Sequence, residues 1–343
     1  MPQRYHFASK LEMPPRISPA HFLLVVLLLA FAGSRPAAAQ VEGKIVQAKP
    51  GQNQSGPAAN PRNADHDQDD PEAEEESDDA PAADQNNERY PGNFSLAFET
   101  PNTEALLPYQ KEFRESQLFD QTIDELNETI ALPVDLKIRF TECGAVNAFY
   151  DSNEHQMLMC YELIQFFHQQ FSALYDDDEA AAENAVVDAT IFVFHHELGH
   201  ALVDLLKVPI TGKEEDAVDD LATLVLLHDW EGGDESALNA AQAFYMIGEA
   251  EEAAAEEPDE SAIEKLPYYD EHSLGKQRFY QIACIVYGSD PQAHADLVGD
   301  TLPATRAERC PSEFQQKSNS WSTLLADFYA AADQENASEG PEE

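Results

Sequence analysis

Between Pro108 and Asn127 the apolar residues Phe113, Leu118, Phe119, Ile123 and Leu126 recur at helical spacing, which predicts an amphipathic helix. The period then falls to two. In VDLKIRF, Val134, Leu136, Ile138 and Phe140 alternate with polar residues, as in a strand with one buried face. NAFYD (147–151) and QMLMCYE (156–162) follow, separated by the turn-like SNEH, and the three segments together predict a small antiparallel sheet. Leu163, Ile164, Phe167, Phe171 and Leu174 mark another helix, ended by the acidic DDDE. A long apolar helix then runs from Glu179 to Leu206, and after the link KVPITGK a second runs from Glu214 to His228. Three further helical stretches cover Ser236–Glu256, Leu274–Tyr287 and Ser320–Ala331. The class is therefore α+β, mostly helical, with no internal repeat.

The two ends read differently. Arg4, Lys10 and Arg16 precede the apolar run FLLVVLLLAFA and the small-residue site PAAAQ, the pattern of a secretory signal peptide over residues 1–39. The run is well short of the roughly 20 residues that span a bilayer, so no stable membrane span is expected after cleavage. Residues 40–92, rich in Pro, Ala, Gln and acids, cannot bury enough apolar surface to offset chain entropy and read as a disordered acidic spacer. Residues 93–332 form the folded domain, and the polar 333–343 a loose tail.

Charge narrows the partners. The 343-residue chain carries a formal −45; its first 39 residues hold four basic and one acidic side chain, so the cleaved protein would stand at −48. No basic patch is left to bind nucleic acid or an anionic membrane. Export makes Cys143, Cys160, Cys284 and Cys310 candidates for disulfides, and proximity favours Cys143–Cys160 and Cys284–Cys310. The sequence leaves the oligomeric state open, as it does the choice between periplasm and medium.

The chemistry lies in FHHELGHALVDLL (194–206). Residues four apart on a helix share a face, so His196 and His200 can aim at one point, with Glu197 beside the water of a metal held there. This is the HExxH arrangement of zinc hydrolases, two histidine ligands and a glutamate as general base. His195 has Gly199 four residues on and takes a supporting or packing role. A catalytic Zn2+ site needs a third protein ligand and an open position for water. The metzincin pattern is excluded, since Val203 and Leu206 stand where its glycine and third histidine would be. Glu215 and Asp219, four apart on the next helix, have the ExxxD spacing of gluzincins: Glu215 as ligand, Asp219 orienting a histidine through its other nitrogen. Asp219 as the direct ligand, or the pair Asp216 and Asp220, fits the periodicity almost as well.

The run from Phe194 to Leu226, with CGAVNAFYD and MCYEL before it and DEHSLGKQRFYQIACIVYGSDP after it, resembles an uncharacterised bacterial metallopeptidase family with a domain of unknown function. The likeness spans roughly residues 100–328 and implies a zincin-like, gluzincin-like fold, with a small twisted sheet over the active-site helix and the metal below an edge strand. The expected function is exported, zinc-dependent hydrolysis of peptide bonds, with Glu197 as base. A peptide substrate would add to an edge strand, for which NAFYD is the candidate. Tyr269, His272 and Arg278 are near enough in sequence to supply an oxyanion donor, and His272 is favoured. The alternative is a zinc-binding, proteolytically silent peptide-binding protein, for which Glu197 would not be needed.

Overall fold

The structure, a computed structural model, describes residues 90–329 except 177, 231, 257–265, 267 and 300. The expected signal segment, nearly all of the expected acidic spacer and the expected 333–343 tail lie outside the described residues.

The chain enters through strand β1 (Phe94–Phe98), whose FSLAF fully buries only Phe94, too weak a pattern to read from sequence. Two helices follow, α1 (Leu107–Ser116) and α2 (Leu118–Thr129), where the periodicity predicts one. The break is local. Ser116 Oγ donates to the carbonyl of Phe113 and accepts from the N–H of Leu118, and Gln117 between them takes a left-handed φ of 56°. Such side-chain bonding competes with the helical ladder and ends it without a glycine.

Strands β2 (Leu136–Thr141), β3 (Ala148–Asp151) and β4 (Gln156–Cys160) complete a sheet in the order β1-β2-β4-β3. The sheet is mixed, not antiparallel: β1 pairs parallel with β2, β2 parallel with β4, and only β3 runs against β4. Helices α1 and α2 make the crossover that a parallel β1–β2 pair requires. After β2 the chain first lays down β3 as the outer edge, then turns through 152–155 and inserts β4 between the two. The disulfide Cys143–Cys160 ties the ends of β2 and β4.

Among the described residues seven α-helices follow: α3 (Tyr161–Tyr175), α4 (Glu179–Leu205), α5 (Glu214–Asp229), α6 (Gly233–Glu256), α7 (Gly275–Ser289), the single turn α8 (Ala304–Ala307) and α9 (Cys310–Leu325). The last begins ten residues before the helix expected at Ser320–Ala331. Pro311, in its first turn, has no N–H to lose there, and Cys310 is anchored to Cys284 of α7 by the second disulfide.

One apolar core joins sheet and helices. Leu136, Ile138 and Phe140 of β2 and Met157 and Met159 of β4 are fully buried, and the ring of Phe119 on α2 lies tilted between Phe140 of the sheet and Phe194 of α4. From Ala185 onward helix α4 is buried nearly all round, so an ionisable group there is costly unless it is paired or neutral. No helix among the described residues is long and apolar enough to cross a membrane.

Candidate metal centre

Gly199 decides how closely α4 and α5 approach. A Cβ there would lie 2.8 Å from Cβ of Val218, a contact real side chains do not make. The glycine inside HELGH therefore admits Val218, and with it the residues on either side, Glu215 and Asp219, to the histidine face of α4.

His196 and His200 turn Nε2 to a common point. Nε2 of His196 is 3.1 Å from Oε2 of Glu215, and Nε2 of His200 is 3.3 Å from Oε1. One ligand atom from each of the three lies within 4.8 Å of the others. Behind the rings two more carboxylates fix the tautomers. Nδ1 of His196 donates to Asp219 at 2.8 Å, and Nδ1 of His200 to Glu214 at 2.8 Å. Each Nδ1 thus carries a proton, and Nε2 is the nitrogen that each ring would turn to an ion.

The arrangement fits a cation. Oε2 of Glu215 is buried and makes no hydrogen bond, although Nε2 of His196 and of His272 stand 3.1 and 3.2 Å away. Donors that crowd one point without bonding one another are what a metal would draw together. The electrostatics of the ion-free centre agree. Burial disfavours charge on His200, but Glu215 and Glu214 outweigh it and raise the ring to about 9. Burial likewise works against the Glu215 carboxylate, yet the two imidazoles hold it well below the usual carboxylate range. Among the described residues one other group could hold an ion, Cys143, Cys160 and Glu162. Its sulfurs are joined, and its carboxylate accepts the N–H groups of Cys143 and Gly144.

Glu197 is buried on the same face, and burial raises its carboxyl above the ordinary range. On the edge strand β3, the Tyr150 hydroxyl donates to Asp204 at 2.9 Å, which ties the strand to α4.

The remaining expectations separate. His272 stands at the centre's rim, half-exposed, with Nδ1 2.9 Å from Asp270 and Nε2 toward Glu215. Tyr269 is 79% exposed. Arg278 instead binds Asp219, with Nε at 2.7 Å from Oδ2 and Nη2 at 2.6 Å from Oδ1. Asp216 accepts from Ser273, and Asp220 from Gln281 and Lys317, so neither faces the histidines. His195 is buried on another face of α4. Its Nδ1 bonds the Ile191 carbonyl, and burial lowers its pKa to about 4. A cleft of about 280 Å³ opens beside His272, lined by Phe244, Ile247, Leu274 and Arg278 among others.

Sequence reasoning missed Glu214, Asp270 and Tyr150. The first two left a trace, as the first acid of EED and as the D of DEH, but which ring each would meet depends on how the helices cross. Tyr150 left none.

Neither a curated protein nor a solved structure matches the chain. A family model does, over residues 98–325, and its description is "Putative metallopeptidase". That match takes in strands β2, β3 and β4, the two histidines, Glu197 and the acidic helix, and the chain belongs to this metallopeptidase family, DUF4344.

Proposed function

We propose that the protein is an exported zinc-dependent peptidase that hydrolyses peptide bonds with Glu197 as general base. One observation carries this reading: both histidine Nε2 atoms of the HExxH helix converge on the carboxylate of Glu215, with the buried Glu197 alongside. His196, His200 and Glu215 would hold the ion, a donor set of two imidazoles and a carboxylate that leaves a position for water. Zinc bound there supplies Lewis acidity and brings a water to ionise near neutral pH.

The chain's own groups do the rest. Glu197 takes a proton from the attacking water and returns it to the leaving amine, a task for which a carboxyl raised by burial is suited. His272, held at Nδ1 by Asp270, donates Nε2–H as an imidazolium to the oxyanion that develops on the substrate carbonyl. Asp219 and Glu214 keep the ligand rings oriented.

The substrate is an extended peptide lying along β3. The carbonyl of Asn147 bonds the N–H of Cys160, so by strand alternation Ala148 and Tyr150 turn their backbone groups to the open edge. Two disulfides fit an oxidising compartment, in keeping with a signal segment over residues 1–39.

The test is Glu197→Gln in the purified mature chain, assayed on a broad peptide library with zinc content measured in parallel. The reading expects cleavage by the wild type, and a variant that keeps its zinc but loses at least a hundredfold in rate. A wild type that cleaves nothing, or a variant that cleaves equally well, would refute it.

A further inference from the structure

Asp219 is a carboxylate almost without solvent, 2% exposed, and its partners are unequal. From His196 it accepts a single bond, to Oδ1, whereas Arg278 grips both oxygens. One bond from an imidazole leaves a carboxylate free to rotate about its own axis. Two bonds from a planar guanidinium fix its plane as well as its position. The pair also matches charge for charge, which a buried carboxylate requires.

Arg278 is itself held. Its guanidinium lies 3.7 Å over the ring of Phe244, and its side chain is 12% exposed. The helix carrying it is pressed against α6 where two glycines meet. A Cβ at Gly275 would lie 2.3 Å from the carbonyl oxygen of Phe244, and one at Gly248 2.6 Å from the N of Lys276. This close crossing brings Arg278 to an aspartate 59 residues before it in the chain.

We infer that Arg278 is a positioning residue for metal retention. It locks the Asp219 carboxylate, and Asp219 fixes the plane of the His196 ring so that Nε2 points at Glu215. Arg278 works from behind that ring, its Nη2 lying 3.4 Å from Nδ1 on the side away from Nε2. The inference rests on the metal-centre reading above, and its test separates the two.

Arg278→Lys keeps the charge and loses the two-point grip; Arg278→Met loses both and keeps the stem. For each purified chain, the zinc dissociation constant is measured by competition with a chromophoric chelator, and urea unfolding is followed in the metal-free form. Both variants should bind zinc at least tenfold more weakly than wild type, the range found when a group supporting a ligand is removed. Peptide cleavage lost at limiting zinc should return with excess zinc at an unaltered KM. A purely structural role would lower the unfolding midpoint and leave the zinc affinity of the folded protein where it was. Zinc affinities within twofold of wild type in the folded variants would overturn the inference and leave the metal centre standing. A wild type that takes up no stoichiometric zinc would remove the centre itself, and this role with it. Should the Met variant fail to fold, the Lys variant decides.

Discussion

The hydroxyl of Tyr150, on the edge strand, donates to the carboxylate of Asp204, on the long helix, at 2.9 Å. The strand that would receive a peptide is thereby tied to the helix that carries Glu197. Tyr150→Phe removes this bond, and Asp204 keeps Lys207 as partner. Unfolding free energy should fall by about 1 kcal/mol in a urea titration, with zinc content intact. A variant as stable as wild type would show that the hydroxyl contributes nothing to holding strand and helix together.

The adjacent histidines give a paired prediction. His196→Ala removes one of the converging nitrogens and should abolish stoichiometric zinc. His195→Leu touches a ring that bonds the Ile191 carbonyl on another face, and should keep one zinc per chain. Elemental analysis of the two purified proteins checks this, and equal zinc in both would contradict the assignment.

Glu215 and Asp219 should differ in degree. Glu215→Gln weakens a direct donor and is expected to lower zinc affinity by about three orders of magnitude; Asp219→Asn disturbs a supporting bond and should cost about 10–100-fold. The reverse ranking in chelator competition would exchange their roles.

How much of this was legible in the sequence follows from range. The four-residue spacings of His196 with His200 and of Glu215 with Asp219 lie within single helices, where geometry is fixed by the backbone alone. The choice of Glu215 over Asp216 and Asp220 needed the crossing of α4 and α5 at Gly199, which no periodicity encodes. The partnership of Arg278 with Asp219 depends on three helices at once. Strand direction was hidden for a similar reason: alternation shows which face of β2 is buried, but not whether its neighbours run with it or against it. The cysteine pairs were legible because each closes a short loop, of 17 and 26 residues.

A pH effect is expected away from the metal. Asp229 on α5 shares an apolar cavity with Glu125 of α2 and His195 of α4, and burial, then the charge of Glu125, raises its carboxyl to about 7. A raised carboxyl keeps its proton in the folded chain when the unfolded chain has lost it. Its contribution is therefore fully present below about pH 4 and is lost as pH rises through about 7. The loss is at most about 4 kcal/mol, and less because water reaches part of the side chain. Asp229→Asn should match wild type near pH 4 and exceed it in stability at pH 8; coincident stability curves across that range would contradict this.

The most direct test of the account is X-ray absorption at the zinc edge of the purified, zinc-loaded chain. The account predicts one zinc per chain, surrounded by nitrogen and oxygen at about 2.0–2.2 Å with the multiple scattering of two imidazoles and no sulfur. Absence of stoichiometric zinc, a sulfur shell at about 2.3 Å, or a spectrum unchanged in His200→Ala would contradict it.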